Sequence, residues 1–161
     1  NEAQLTLLHH AADKIPVFFA ANMSLGVSLI SELAQKAANV LGKDFDIEIV
    51  EMHHNQKVDA PSGTALMLAD SIKEALGEDM RYEYDRHAKR EKRGKNEIGI
   101  HSVRGGTITG EHEIIFAGHD EIIKISHSAR SKELFATGAI NAARFLCGKP
   151  AGLYGMKELI G

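Results

Sequence analysis

The sequence has few of the features that mark specialised classes of protein. Its 161 residues contain a single cysteine, Cys147, which excludes an internal disulfide framework and a cysteine-based zinc site. No uninterrupted apolar stretch is longer than that of residues 17–21, which is far too short to cross a bilayer. A formal net charge of −3 argues against a dominant nucleic-acid role, because binding phosphates needs a clear basic excess. These absences favour a globular protein that binds neither membrane nor nucleic acid, and the low cysteine content indicates a reducing, cytoplasmic location.

What the chain does contain is typical of one domain or a small two-part assembly. Apolar residues make up 43% and charged residues 25%, which are ordinary values for a folded protein. Glu2 and Asp13 lie where a secretory signal peptide excludes acidic residues. Because the first residue is Asn1 and not methionine, we expect the chain to be processed or cut from something longer.

The spacing of apolar residues predicts alternating helices and strands. Helices are predicted over residues 2–12, 24–41, 62–76 and 134–146, and strands over 17–21, 47–52, 98–103, 107–117 and 121–127. This order predicts an α/β (α+β) fold, an open mixed β-sheet flanked by helices. The highly charged stretch 78–97 is interpreted as a solvated loop, with a mobile basic flap over an anionic substrate as the alternative.

The densest group of chemically active residues lies between the strand 47–52 and the helix that follows it. The strand leads directly into His53 and His54, and Lys57 lies in the next turn. Ser62-Gly63-Thr64 then opens the helix, where unpaired backbone N–H groups favour an anion. A carboxylate or phosphate bound there would lie beside two potential proton donors. Each residue alone is common in structural roles, so the prediction rests on their closeness along one loop.

Nine histidines make a metal site the main chemical alternative. The His-Glu-x-x-His pattern and calcium-loop spacings are absent from the sequence. His53 and His54 would point to opposite faces of a strand, which is poor geometry for joint chelation. His112 and His127 come from different predicted strands and could meet, but we expect no metal.

The residues from His53 to Ala65 closely resemble the signature of the dihydrodipicolinate reductase (4-hydroxy-tetrahydrodipicolinate reductase) family. The segment reads His-His-Asn-Gln-Lys-Val-Asp-Ala-Pro-Ser-Gly-Thr-Ala. Three further segments resemble the family in the same order, namely residues 20–27, the pair 103–106 and 110–112, and residues 135–139. The resemblance extends over nearly the whole chain.

This resemblance implies an NAD(P)H-dependent oxidoreductase of lysine and diaminopimelate biosynthesis, which reduces 4-hydroxy-tetrahydrodipicolinate to tetrahydrodipicolinate. It assigns His53 as the catalytic acid–base residue and Lys57 as the proton donor. His54, Gly63 and Thr64 would bind the cyclic dicarboxylate substrate. The residues matching the segment that contacts the nicotinamide of NADH or NADPH are Ala20, Ala21, Asn22 and Met23.

The chain departs from the family pattern in two ways. Nothing in it matches the family's Gly-rich loop of the nucleotide-binding half, so we expect a C-terminal part that is inactive alone. Residues 1–23 would be the tail of a Rossmann-like nucleotide-binding domain, 24–132 the substrate-binding and oligomerisation domain, and 133–161 the helix that returns to the first domain. The second departure is Lys132, where the family often has arginine, which leaves the role of this position open.

The long predicted strands, rich in β-branched residues, leave a sheet surface that the few helices cannot cover. Together with the resemblance, this predicts a homotetramer. Three hypotheses therefore remain, namely the substrate-binding part of a reductase, a non-catalytic oligomerisation module, and a histidine-rich metal hydrolase.

Overall fold

The computed structural model describes residues 2–77 and 79–161; Asn1 and Glu78 lie outside the described residues. The chain divides into two compact units, one formed by the residues up to Leu29 together with Lys132–Gly161, and the other by Ile30–Ser131. Five helices and seven strands make up the described part. The helices are α1 (Glu2–Ala12), α2 (Leu25–Leu41), α3 (Gly63–Leu76), α4 (Glu133–Leu146) and α5 (Met156–Ile160). The strands are β1 (Pro16–Phe18), β2 (Asp46–His53), β3 (Arg81–Glu83), β4 (Glu97–Arg104), β5 (Gly110–Ala117), β6 (Ile122–Ala129) and β7 (Gly152–Tyr154).

The larger unit is built on a five-stranded sheet with the order β3-β4-β2-β5-β6. β2 is parallel to β4 and antiparallel to β5, so the sheet is mixed, as the sequence predicts. The apolar side chains of one sheet face pack with residues of α2 and α3 into a single core. Its members include Ile30, Ala34, Leu68, Ile72, Ile47, Ile49, Ile98, Ile100, Ile114 and Phe116.

The smaller unit contains a two-stranded parallel pair, β1 with β7. Phe145 of α4 packs edge-on against Phe18 and Tyr154, one from each strand. Gly138 of α4 lies so close to the loop after β1 that an added Cβ would be 1.7 Å from the Met23 carbonyl oxygen. Only glycine therefore allows this approach of helix and loop.

The helices α1 to α4 agree with the sequence-based prediction. Ser24 caps α2, because its Oγ accepts a hydrogen bond from the Val27 N–H at 3.2 Å. The prediction of a strand over 17–21 was wrong in its extent, because β1 ends at Phe18 and the next six residues form the connection to α2. The strand predicted over 107–117 begins only at Gly110. The sequence analysis missed β3, β7 and α5, which are three to five residues long and too short to show a period.

The charged stretch predicted over 78–97, of which residues 79–97 are described, is more ordered than a solvated loop. It contains β3 and a 3-10 turn, Arg86–Ala88. Its basic residues pair with carboxylates of the protein itself, Arg86 with Glu97 and Lys89 with Glu83. Arg93 reaches across to β2, where its Nη1 lies 2.9 Å from an Asp46 oxygen. These contacts fix Arg86, Lys89 and Arg93 by ion pairs within the larger unit, which does not fit a free basic flap.

Candidate active site

The candidate site lies at the carboxyl end of β2, the central strand of the larger sheet. Residues alternate between the two faces of a strand, and β2 directs Ile47, Ile49 and then Glu51 into the core. His53 continues the same face at the end of the strand. The register places Arg104 of β4 beside His53 and His112 of β5 beside Glu51. The neighbouring strands β4 and β5 thus bring two further ionisable groups close to His53.

Glu51 is completely buried and is paired through both of its carboxylate oxygens. Arg104 donates from Nη1 to Oε2 at 2.7 Å and from Nη2 to Oε1 at 2.6 Å. His53 Nδ1 lies 2.6 Å from Oε2. Burial by itself would raise the pKa of Glu51, but hydrogen bonds from Arg104, Ser102, His53 and the Ser62 N–H outweigh it and lower the pKa to about 2. The carboxylate is therefore ionised at neutral pH.

His112 is buried next to this pair. Its ring meets the His53 ring edge-on with 5.3 Å between centroids, and its Nε2 lies 2.9 Å from Ser62 Oγ. Burial, with smaller contributions from the nearby His53, His127 and Lys57, lowers the pKa of His112 to about 4. At neutral pH His53 therefore contacts an ionised Glu51 and a neutral His112.

The first turn of α3 forms the opposite wall of the site. Ser62 caps the helix, because its Oγ accepts from the Ala65 N–H at 3.1 Å. Gly63 and Thr64 follow as the first helical residues, and a Cβ added at Gly63 would meet nothing within 4 Å. The backbone there is open to an approaching atom, and the N-terminal end of a helix favours an anion.

Lys57 and His54 lie on the loop that joins β2 to α3. Lys57 Nζ is 2.8 Å from Asp59 Oδ1, and this hydrogen bond lowers the pKa of Asp59. The Lys57 N–H donates to the His54 carbonyl oxygen at 3.1 Å. Arg104 Nη2 donates to the Asp59 carbonyl oxygen at 2.7 Å, so the same arginine that pairs with Glu51 also holds the lysine-bearing loop.

The four residues expected to contact a nicotinamide belong to the smaller unit. Ala20, Ala21, Asn22 and Met23 form the connection from β1 to α2. Asn22 shapes this connection, because its Oδ1 accepts from the Ser24 N–H at 2.8 Å. The connection follows the carboxyl end of a parallel strand, which is where parallel sheets bind nucleotides.

Sequence reasoning missed four residues that organise the site, Glu51, Ser62, Arg104 and His112. A signal for Glu51 was present, since the alternation of β2 puts this acidic residue at a core-facing position. Ser62 was noted only as part of the helix start. Arg104 and His112 depend on the register between strands that are distant in sequence, which no local pattern encodes.

In residues 2–77 and 79–161 no group of three or more His, Cys, Asp or Glu side chains is placed to hold a metal ion. His112 and His127 do face each other across β5 and β6, as the sequence analysis allowed. Within the same ranges, no helix has both the length and the apolar content needed to cross a membrane.

The larger unit is therefore a mixed α/β domain in which a buried carboxylate and a histidine lie at the end of β2, next to the start of α3. The sequence model of the family described as "Dihydrodipicolinate reductase, C-terminus" matches residues 26–160. The chain belongs to this family. The family resemblance and the mixed α/β fold predicted from the sequence are thereby confirmed.

Named relatives agree with this membership. The chain is 56% identical over 160 residues to the 4-hydroxy-tetrahydrodipicolinate reductase of Caldanaerobacter subterraneus subsp. tengcongensis, covering 99% of this chain and 63% of the relative. It is 52% identical to the enzyme of the same name from Clostridium tetani, covering 97% of this chain and 61% of the relative. The chain thus spans less than two thirds of the length of these relatives.

A solved structure shares the fold. It is described as dipicolinate-bound dihydrodipicolinate reductase from Paenisporosarcina sp. TG-14 and superposes with a TM-score of 0.75 at 29% sequence identity. The match covers 98% of this chain and 60% of that one.

Proposed function

We propose that this chain is the substrate-binding part of a reductase that converts 4-hydroxy-tetrahydrodipicolinate to tetrahydrodipicolinate in lysine and diaminopimelate biosynthesis. The observation that carries the proposal is the convergence of His53, Lys57 and the open start of α3 at one end of β2. A cyclic dicarboxylate needs an anion site and a proton source in the same place. Membership of the family, and the dipicolinate bound by the Paenisporosarcina relative, support this substrate class.

In this proposal Gly63 and Thr64 bind one carboxylate of the substrate through the N-terminal end of α3, and His54 contributes to holding the ring. NADH or NADPH, when bound, supplies the hydride that reduces the ring. Charge that builds on the ring is then neutralised by a proton from Lys57 or His53, and a positioned acid lowers the barrier to that transfer.

The smaller unit would serve the cofactor. We propose that residues 1–23 and 133–161 belong to a nucleotide-binding domain, with Ala20, Ala21, Asn22 and Met23 at its nicotinamide end, and that 24–132 forms the substrate and oligomerisation domain. The position of these four residues after a parallel strand fits that role. Hydride transfer would then require cofactor-binding residues beyond those of this chain.

The same proposal covers assembly and location. One face of the larger sheet packs into the core, while its other face carries exposed apolar side chains such as Val103 and Ile122, 43% and 64% exposed. We propose that this face joins copies of the chain into a homotetramer. The biosynthetic role and the single cysteine support a cytoplasmic location.

Calorimetric titration with dipicolinate tests the substrate class. We expect saturable binding by the chain, weakened about tenfold or more in Lys57→Met because one cationic partner of the dianion is lost. Lys43→Met is the matched control. Lys43 precedes the opposite end of β2 and, like Lys57, pairs with a single aspartate, here Asp79. Absence of binding by the unaltered, folded chain, or equal weakening by both variants, would contradict the proposal.

A further inference from the structure

Glu51 occupies a position where the fold favours an apolar side chain. It follows Ile47 and Ile49 on the core face of β2 and is completely buried. Withdrawing a carboxylate from water costs several kcal/mol. A charge at this position is therefore expected to do something that an isoleucine could not.

The charge fixes the tautomer of His53. An ionised carboxylate can only accept hydrogen bonds, so in the 2.6 Å contact with Glu51 Oε2 the proton lies on His53 Nδ1. Neutral His53 then presents an unprotonated Nε2. A Cβ added at Gly110 would lie 3.1 Å from Nε2, so glycine at this position leaves the edge of the ring uncrowded.

The same carboxylate also holds the anion-binding wall. Oε1 of Glu51 accepts from the Ser62 N–H at 3.0 Å, and Ser62 is the residue that caps α3 immediately before Gly63 and Thr64. One oxygen thus contacts the histidine and the other contacts the helix start. A shift of the carboxylate would move both walls of the site together.

Arg104 completes the connection to Lys57. Its guanidinium donates to both Glu51 oxygens and also to the Asp59 carbonyl oxygen, and the Asp59 carboxylate contacts Lys57 Nζ. A planar, forked cation makes these contacts together, whereas a lysine ammonium lacks the geometry.

We propose that Glu51, held by Arg104, is the positioning residue of this site, which keeps His53 as the Nδ1–H tautomer and fixes its ring relative to the start of α3. The part of this proposal that concerns dicarboxylate binding rests on the proposed function. The assignment of the His53 tautomer does not depend on the proposed function, and it can be tested without any ligand.

The first experiment uses the unaltered chain. Nitrogen-15 NMR of the histidine side chains, recorded where His53 is neutral and assigned with His53→Gln, reports which ring nitrogen carries the proton. We expect Nδ1–H, with Nε2 unprotonated. An Nε2–H tautomer would overturn the proposal, whether or not any variant folds.

The second experiment compares variants by the same spectra and by dipicolinate titration. In Glu51→Gln an amide can pair with either ring tautomer, so we expect a mixture of the two and dipicolinate affinity lower by about tenfold or more. Glu51→Asp, which keeps the charge, should restore much of the Nδ1–H form. Glu83→Gln is the matched control, because Glu83 is a largely buried carboxylate at the end of β3 that pairs with Lys89 and accepts from the Asp85 N–H.

The outcomes separate this proposal from the proposed function. A folded Glu51→Gln with the tautomer and affinity of the unaltered chain, or equal effects from Glu83→Gln, would overturn the positioning role. The chain could instead show the expected tautomers, Nδ1–H when unaltered and a mixture in Glu51→Gln, and yet bind no dipicolinate. That result would support the positioning of His53 by Glu51 and contradict the proposed substrate class.

Discussion

At the scale of single residues, the candidate site contains two buried ionisable groups, one charged and one neutral at neutral pH. Glu51 and His112 are direct neighbours across β2 and β5. Hydrogen bonds to Arg104 and His53 keep the first charged, while burial keeps the second neutral. Such divergence of neighbouring pKa values is a common feature of acid–base sites.

His112 predicts how stability depends on pH. Its pKa in the folded chain, about 4, lies below the 6.5 of an unfolded histidine, so the unfolded state binds more protons between these values. The contribution of His112 to stability is therefore present above pH 6.5 and is lost as the pH falls towards 4. The lowered pKa of His127 acts in the same direction. From about pH 7 to about pH 5, His112 alone should lower the free energy of unfolding by about 2 kcal/mol.

Urea unfolding across this pH range checks the prediction. His112→Gln should remove most of the dependence, whereas His101→Gln, which alters an exposed histidine paired with Glu48, should retain it. Equal slopes for the unaltered chain and His112→Gln would show that His112 is not the responsible group. The low pKa of Glu51 contributes mainly at more acid pH, around and below 4.5, where half or more of its carboxylate is protonated in the unfolded state.

The sequence predicts those site residues whose chemistry is visible locally. His53, His54, Lys57, Gly63 and Thr64 share one connection, and the structure has them at the end of β2, on the following loop and at the start of α3. The residues that hold them could not be found in the same way. Arg104 is 53 residues from Glu51 along the chain, and only the parallel pairing of β2 with β4 brings the two together.

At the scale of elements, close backbone approach decides where α4 lies within the smaller unit. Gly138→Ala would place a methyl group against the Met23 carbonyl oxygen. To relieve this clash, the backbone of α4 or of the loop after β1 must shift. We expect a loss of about 1–3 kcal/mol in the free energy of unfolding. Alanine is otherwise the better helix former, so without this contact the same change would stabilise the chain.

Urea unfolding of Gly138→Ala and Gly105→Ala provides the comparison. Gly105 lies in a turn where an added Cβ meets nothing within 4 Å, so its substitution should change stability by no more than about 0.5 kcal/mol. A neutral or stabilising Gly138→Ala would mean that α4 and the loop after β1 are not in this close contact.

Long elements were predictable and short ones were not. The helices α1 to α4 and the strands β2, β4, β5 and β6 agree with the prediction to within three residues at each end. Each of them is long enough to show an apolar period. β7 is three residues long, Gly152–Tyr154, and exists because it pairs with β1. β3 lies in a charged stretch without an apolar period, where the buried Glu83 pairs with Lys89 and accepts from the Asp85 N–H.

At the scale of the whole molecule, the exposed sheet face makes a prediction about assembly. Light scattering should give a mass four times that of one chain over a range of concentrations. Placing a charge on this face, in Val103→Asp combined with Ile122→Asp, should shift the protein to smaller species because buried unpaired carboxylates are costly. Val40→Asp, a change at a 76% exposed residue of α2, should leave the mass unchanged. A monomeric mass for the unaltered chain at every concentration would contradict the proposed tetramer.

The end of β2 and the start of α3 are proposed to form a single dicarboxylate site organised by Glu51. A crystal structure of the chain grown with dipicolinate tests this most directly. We expect one ligand carboxylate at the Gly63 and Thr64 N–H groups, the ring beside His53 Nε2, and the contacts of Glu51 with Arg104, His53 and Ser62 unchanged. Dipicolinate bound elsewhere, or bound here with His53 detached from Glu51, would contradict it.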